Sequence, residues 1–135
     1  MAAKAVTGLW GRIWRRLAPG QSGEEIACRH LRSRGYLILE RNFRCRSGEV
    51  DIVARQGEAT VFVEVKERRG ESHGRGHEAV TFGKRRRVIR AARLYASSRE
   101  LSERRLRFDV ISVDWTEGRQ PRIRHDEGAF DSDGR

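Results

Sequence analysis

The sequence has few cysteines and no internal repeat. Cys28 and Cys45 are its two cysteines among 135 residues, and their separation does not match the spacing of a metal site. One disulfide is arithmetically possible, but nothing indicates a disulfide-rich secreted scaffold, so we expect reduced thiols and a cytoplasmic location. A chain of this length suffices for one domain with a modest core and leaves little room for a second.

A long apolar segment is also missing. Residues 1–20 carry tryptophan, leucine and isoleucine at helical spacing among arginines, and Pro19-Gly20 ends the pattern. This stretch is too short and too charged to span a membrane or to act as a signal sequence. It is a basic amphipathic leader that is partly disordered, lies on a membrane surface or docks elsewhere on the protein. We therefore expect a leader at 1–20, a domain at 21–130 and a flexible tail at 131–135.

Acidic residues are outnumbered by basic ones. Lysine and arginine total 29 against 19 aspartates and glutamates, which gives a net charge of +10 and an isoelectric point near 11.0. Such a balance predicts contact with nucleic acid or with an anionic membrane, and says little about the fold.

Two β-rich runs, 48–54 and 60–66, predict a β-hairpin around Gln56-Gly57-Glu58. If Gly57-Glu58 forms a two-residue turn, Asp51 lies directly opposite Glu64. Side chains alternate along a strand, so Lys66 shares the face of Glu64. We expect the opposite face to be core, formed by Val50, Ile52, Val61, Val63 and Val65.

Carboxylates opposed across two strands repel each other unless a cation lies between them. Oxygen ligands of this kind suit Mg²⁺ or Mn²⁺, and Lys66 can orient an attacking water and offset charge on a phosphate. The alternative is an ordinary hairpin with a solvated charged face. Because Val53 and Phe62 share that face, we expect burial on both sides, which favours a site since buried carboxylates need a partner.

A third carboxylate is placed by helical phase. A helix is expected from Ser22-Gly23 to about Ser33, with Gly35 as its stop signal. Ser22 and Glu25 have the spacing of a capping box, which gives Glu25 a structural role. Glu24 falls on the inward face, where it is either an additional metal or water ligand or a complement to the helix dipole.

The segment from about Glu78 to Ser97 predicts a basic helix after a glycine-rich loop at 70–76. Lys84 falls within its apolar stripe, so it either snorkels to solvent or reaches the scissile phosphate. The loop carries His73 and His77, which are weak evidence for zinc. Basic side chains of the helix form either a solvated face or a phosphate-binding surface. These candidates are Lys84, Arg85, Arg86, Arg87, Arg90 and Arg93.

This order of elements, with a further strand at 106–113 and a shorter one at 121–124, resembles the PD-(D/E)xK nuclease superfamily. More narrowly, the chain resembles the bacterial YraN-like family, whose members are largely of undetermined function and are similar to archaeal Holliday-junction resolvases. The departures are Val50 in place of proline before Asp51 and an unusual loop at 72–77. The matching words include Gly48-Glu49-Val50-Asp51, Val61-Phe62-Val63-Glu64-Val65-Lys66, Arg41-Asn42-Phe43-Arg44 and Arg107-Phe108-Asp109-Val110.

The resemblance implies a restriction-endonuclease-like α/β core, with a central mixed β-sheet flanked by helices. The carboxylate cluster and the arginine-bearing helix favour a metal-dependent endonuclease that acts on DNA in preference to RNA, with branched or structured DNA as a possible substrate. Cutting two strands of a junction would favour a symmetric homodimer. Alternatives are a non-catalytic nucleic-acid-binding protein that keeps the fold, or an interaction protein at the membrane surface. The implied catalytic positions are Glu24, Asp51, Glu64 and Lys66, with Asp51, Glu64, Glu24 and the Val65 carbonyl as ligands for Mg²⁺ or Mn²⁺.

Overall fold

The computed structural model describes residues 22–69, 80–102, 105–115 and 120–135. The leader at 1–20 and the glycine-rich loop with His73 and His77 lie outside these ranges. Neither helix among the described residues has the length and apolar character needed to cross a bilayer. The elements are α1 (Gly23–Ser33), β1 (Leu37–Cys45), β2 (Gly48–Gln56), β3 (Ala59–Arg69), α2 (Phe82–Ser98), β4 (Leu106–Trp115) and β5 (Arg122–Phe130).

The strands form one mixed sheet in the order β1-β2-β3-β4-β5. β3 and β4 are parallel, and the other neighbouring strands are antiparallel. Parallel strands require a crossover connection, which contains α2 here. α1 and α2 pack on opposite faces of the sheet. The expected central mixed sheet flanked by helices is therefore confirmed.

Each face of the sheet has its own hydrophobic core. On the α1 side, the helix residues Ile26 and Leu31 pack against Ile52, Val63 and Ile111 of the strands. The α2-side core includes Val53, Phe62, Val88, Tyr95 and Phe108. Val53 and Phe62 are fully buried, so the hairpin is covered on both sides, as the sequence predicted.

The expected alternation fails at Val50. The sequence predicts that Val50 shares a face with Ile52, but Val50 lies in the α2-side core and Ile52 in the α1-side core. On β1, Asn42 lies between the residues paired with Ile52 and Val50 and has a positive φ of 53°, a conformation that asparagine tolerates better than most residues. The pairing of β2 with β3 also ends at Ile52, so β2 is free to turn.

Several predicted boundaries shift. α2 begins at Phe82 rather than near Glu78, because the Thr81 hydroxyl accepts the Lys84 N–H and caps the helix. β5 runs to Phe130, well beyond the predicted strand at 121–124, since it pairs with β4 along most of its length. Residues 131–135, expected to be a flexible tail, contact α2. Arg85 donates to the Gly134 carbonyl at 2.8 Å.

Asp109 is a fully buried carboxylate in β4. It accepts hydrogen bonds from Arg107 at 2.8 Å, from His125 at 2.7 Å and from the Gly128 N–H at 3.0 Å. Burial alone raises its pKa, but these donors outweigh it and hold the pKa of Asp109 below its ordinary value. His125 also contacts His30 of α1 at 3.2 Å. The network therefore ties β4 to β5 and to α1.

We predict that Asp109→Asn lowers the free energy of unfolding by about 3 kcal/mol at pH 7, because it breaks a buried charge pair. The folded-state pKa of Asp109 lies below the 3.8 expected of a free aspartate. Its stabilisation is therefore present above about pH 4 and is lost as the pH falls through the folded-state pKa. Urea unfolding over a series of pH values from 7 downward measures the effect, and the difference between the wild type and the variant should narrow below about pH 4. Asp133→Asn, at an exposed position, is the control; equal losses from both variants at pH 7 would contradict the prediction.

Candidate active site

β2 and β3 separate at the position of Asp51. Their paired residues follow the predicted hairpin register and end at Ile52 and Val63. Beyond this point, the Asp51 carboxylate accepts the Val65 N–H at 2.8 Å, where a backbone carbonyl of β2 would otherwise be the acceptor. The bond holds the Asp51 side chain in the gap between the two strands. The predicted register is thus confirmed from the turn to Ile52 and Val63, and the backbone pairing does not extend to Asp51 and Glu64.

The backbone of Val65 faces the same gap. The N–H and C=O of one strand residue point to the same neighbouring strand, and the Val65 N–H points to Asp51. Its carbonyl oxygen is therefore directed between β2 and β3, beside the Asp51 carboxylate. A carbonyl oxygen in this position could coordinate a metal ion together with the Asp51 carboxylate. The role of Val65 as a metal ligand stays a prediction.

The two carboxylates are half-buried, and the charge of Asp51 makes the ionisation of Glu64 more costly. Burial, and next the negative charge of Asp51, raise the pKa of Glu64 to about 8, against the smaller opposing effect of Lys84. Burial also raises the pKa of Asp51, although the Val65 N–H opposes it. Ionising both carboxylates at once is consequently unfavourable in this gap.

α2 brings basic side chains to the edge of this gap. Lys84 is exposed at the start of the helix, and its positive charge lowers the pKa of both Asp51 and Glu64. Arg87, one turn later, acts on Glu64 in the same way. The helix comes this close because residue 48 is glycine: a Cβ on Gly48 would lie 1.9 Å from the Arg87 carbonyl oxygen.

Glu24 lies in the first turn of α1 and faces the sheet edge, as its helical phase predicted. Its carboxylate accepts from the Asn42 amide at 3.0 Å and from Arg41 at 3.3 Å. Its charge also raises the pKa of Asp51. Among the described residues, no three histidine, cysteine, aspartate or glutamate side chains are close enough to bind one ion together. The role of Glu24 as a ligand stays a prediction.

The start of α1 is fixed by hydrogen bonds. The Ser22 hydroxyl accepts the Glu25 N–H at 3.1 Å, which is the expected cap. The Glu25 carboxylate bonds Arg41 at 3.0 Å. The Gly23 N–H donates to Glu67 at 3.0 Å, and Glu67 also accepts from the Trp115 ring N–H at 2.7 Å. These bonds attach the helix to the end of β3.

Sequence reasoning gave no role to Glu67, Asn42 or Glu49. Glu67 anchors α1, and Asn42 orients Glu24. Glu49, which pairs with Arg44 at 3.6 Å, raises the pKa of both Asp51 and Glu64. Asn42 and Glu49 stand in the words that match the YraN-like family, so their presence in those words was the available signal.

The remaining predicted site residues are Lys66 in β3 and the basic residues of α2. Lys66 is half-buried and follows Glu64 by two residues in β3, level with Ser112 of β4. The described basic residues of α2 differ in exposure. Arg86, Arg87, Arg90 and Arg93 are exposed. Arg85 is instead half-buried, with its guanidinium bonded to the Val80 and Gly134 carbonyls. It fastens the chain end to α2.

The donor set suits a hard divalent cation. Asp51 and Glu64 supply carboxylate oxygens, and the Val65 carbonyl faces the same gap. Mg²⁺ takes one or two protein carboxylates and completes its octahedron with water and phosphate oxygens. Burial, and next the charge of Asp51, disfavour the ionised form of Glu64, and a bound cation would favour that form.

The fold and this site define an α/β protein with a carboxylate pair where two central strands separate. The chain belongs to Uncharacterised protein family UPF0102, whose model matches residues 23–113. It is 48% identical over 121 residues to the UPF0102 protein of Syntrophotalea carbinolica, covering 90% of this chain and 98% of that relative. It is 46% identical over 119 residues to the UPF0102 protein of Nocardia farcinica, covering 88% of this chain and 94% of that one. For the UPF0102 protein of Rhodococcus opacus the values are 47% over 116 residues, with coverage of 84% and 97%.

We predict that Glu64→Gln stabilises the protein in the presence of a chelator, and more so at pH 8 than at pH 5. The pKa of Glu64 is about 8 in the folded protein against 4.5 for a free glutamate. The wild type therefore loses stability as the pH rises through this window, whereas glutamine does not titrate. The variant should gain roughly 1 kcal/mol or more at pH 8, since one pKa unit corresponds to about 1.4 kcal/mol.

Urea unfolding in chelator at both pH values measures this gain. Glu58→Gln, in the exposed turn between β2 and β3, is the matched control and should show no such trend. A gain for Glu64→Gln that is the same at pH 5 and pH 8 would contradict the assigned electrostatics.

Proposed function

We propose that this protein is a metal-dependent endonuclease that hydrolyses phosphodiester bonds in DNA, with branched or otherwise structured DNA as its substrate. The observation that supports the proposal most is the Asp51–Glu64 pair at the separation of β2 and β3, with Asp51 held there by the Val65 N–H. The pair is half-buried, and its repulsion calls for a cation.

Asp51, Glu64 and the Val65 carbonyl would hold Mg²⁺ or Mn²⁺. Such an ion, when bound, activates a water and stabilises charge on the phosphate oxygens. Lys66 lies on the Glu64 face of β3, where its ammonium would orient the attacking water and offset charge developing on the phosphate. Lys84 approaches from α2 and would bind a phosphate oxygen. Glu24, held by Asn42, is the additional acid at the edge of the gap.

The exposed basic residues of α2 favour a nucleic acid as the substrate. Arg86, Arg90 and Arg93 are exposed, and they follow each other at helical spacing on one side of α2. Lys84 and Arg87 lie on the side that faces the carboxylates. A DNA backbone bound along α2 would therefore lead towards Asp51 and Glu64. Binding of its phosphates by the arginines would release counterions from the DNA.

Two further parts of the proposal follow from the substrate. Cutting both strands of a junction favours a symmetric homodimer, in which each protomer acts on one strand. A protein that acts on branched DNA works where the DNA is, and we therefore propose a cytoplasmic location.

We predict that the purified protein with Mg²⁺ or Mn²⁺ cleaves junction, flap or single-stranded DNA. Asp51→Asn and Glu64→Gln should each reduce the cleavage rate by about 100-fold or more, because each removes a charge from the ion site. Lys66→Gln should reduce the rate while leaving DNA affinity close to that of the wild type. Labelled substrates on denaturing gels measure cleavage, and fluorescence anisotropy in chelator measures affinity.

Glu58→Gln removes a carboxylate from an exposed turn outside the site and should cleave as the wild type does. Cleavage that survives in both carboxylate variants would place the reaction elsewhere. Salt-sensitive binding without cleavage of any substrate would instead identify a non-catalytic nucleic-acid-binding protein with the same fold.

We also predict that Arg86→Gln combined with Arg90→Gln weakens DNA binding and flattens its salt dependence. Each lost phosphate contact lowers the slope of log affinity against log salt by about 0.9 for duplex DNA. The double variant should therefore lose about 1.8 from that slope. Anisotropy titrations over a series of salt concentrations measure it.

Arg32→Gln combined with Arg34→Gln is the matched control. It removes the same charge from exposed positions at the end of α1, on the opposite face of the sheet. If both double variants change the slope equally, α2 is not the phosphate-binding element.

A further inference from the structure

A cavity of about 510 Å³ lies on the α2 side of β3, β4 and β5. It begins at Lys66, next to the carboxylate pair along β3. The strand register places Lys66 level with Ser112 of β4 and Arg124 of β5. Neighbouring strands are about 4.8 Å apart, so the row reaches about 10 Å from the candidate active site. The volume of the cavity is in the range of pockets that bind small organic ligands.

Positive charge predominates in this cavity. Its described lining has five cationic side chains and two carboxylates. The row after Lys66 consists of Arg68, Asp114 and Arg122, again level with one another in the sheet. Arg124 is 77% exposed and pairs with Asp126 at 3.0 Å. Exposed arginines beside a cavity suit a phosphate group, which they bind with paired N–H donors.

One acceptor in the lining has no partner. An oxygen of the Asp114 carboxylate is buried and accepts no hydrogen bond within the described part of the chain. Its register neighbours Arg68 and Arg122 do not reach this oxygen. A buried acceptor without a donor costs free energy and requires an explanation. Asp114 as a whole is only half-buried and lines the cavity, so the accessible part of its carboxylate can accept from an amino group of a ligand.

Most of the remaining lining is apolar. Val80, Val110 and Phe130 contribute to the wall of the cavity, and all of them are nearly buried. A flat heterocycle packs well on such a surface, since aromatic and aliphatic groups both contact its face. The cavity thus combines an arginine-bearing rim for a phosphate, an apolar wall and a carboxylate, Asp114, that can accept from an amino group. A nucleotide carries all the complementary groups.

We propose that this cavity binds one unpaired nucleotide of the DNA strand, next to the bond that the carboxylate pair cleaves. Its phosphate lies on Arg122 and Arg124, and the amino group of its base donates to Asp114. The inference rests on the proposed function for its substrate and specifies which substrates are bound best. A base enters the cavity only outside the double helix, and unstacking costs least where it is already unpaired. Single strands, flaps and junction arms are therefore preferred over intact duplex.

The test compares Arg122→Gln combined with Arg124→Gln against the control pair Arg32→Gln with Arg34→Gln. Both double variants lose two positive charges, and circular dichroism checks that both fold. Affinity is measured by anisotropy in chelator for a single strand of about eight deoxycytidines and for a blunt hairpin duplex. We expect the cavity variant to lose about tenfold more affinity for the single strand than the control loses. The affinities of the cavity variant and the control variant for the duplex should differ little.

A second measurement uses Asp114→Asn. The wild type should prefer oligodeoxycytidine to oligothymidine, because cytosine has an amino group where thymine has a carbonyl. Asp114→Asn should reduce this preference, since asparagine replaces one acceptor with a donor. Equal effects of the cavity and control variants on single-strand affinity, or a base preference unchanged in Asp114→Asn, would overturn the inference.

The binding measurements contain no divalent ion, so they are independent of cleavage. Cavity-dependent single-strand binding by a protein that cleaves nothing would support this inference and reject the proposed catalysis. If the protein cleaves DNA but the cavity variants bind single strands as the control variant does, the proposed catalysis is supported and this inference is rejected.

Discussion

The hydrogen bond from the Val65 N–H to Asp51 is the interaction on which the candidate site depends. Two antiparallel strands normally satisfy each other's backbone groups along their full length. Here a side chain of β2 takes the place of its backbone, so the strands can separate without leaving that N–H unsatisfied. The separation leaves the Asp51 carboxylate between two strands in the middle of the sheet, where its charge acts on Glu64.

Such a gap is costly, and the rest of the fold supports it. Hydrophobic cores cover both faces of the sheet, so β2 and β3 stay fixed up to the point at which they separate. On the far side, the buried Asp109 network joins β4 to β5 and α1. Two glycines allow the helices to come close: Gly48 lets α2 pack on β2, and Gly23 lets α1 meet Glu67. Rigid elements therefore carry every acid around the gap, which is how a functional site is held in a productive geometry.

Local patterns predicted much of this arrangement. The turn at Gly57-Glu58 set the register of β2 against β3, and the helical phase of α1 turned Glu24 towards the sheet. Those patterns depend on near neighbours in the chain, and so they can be read from sequence. The change of face at Val50 could not be predicted from the sequence, because it accompanies the backbone conformation of Asn42 in another strand. Likewise, the anchoring role of Glu67 depends on the Gly23 N–H and on Trp115, which are distant in the chain.

The sequence by itself determined the two helices, the hairpin of β2 and β3, the strand β4, the excess of positive charge and the resemblance to a family, but not β1. Only the tertiary structure decided that Arg85 fastens the chain end while Arg86 and Arg90 stay exposed, and that β5 closes a basic cavity beside Lys66. The physical reason is that periodicity fixes which way a side chain leaves its own strand or helix. What it meets there, and hence its burial, its pKa and its partners, depends on which distant segments pack against it.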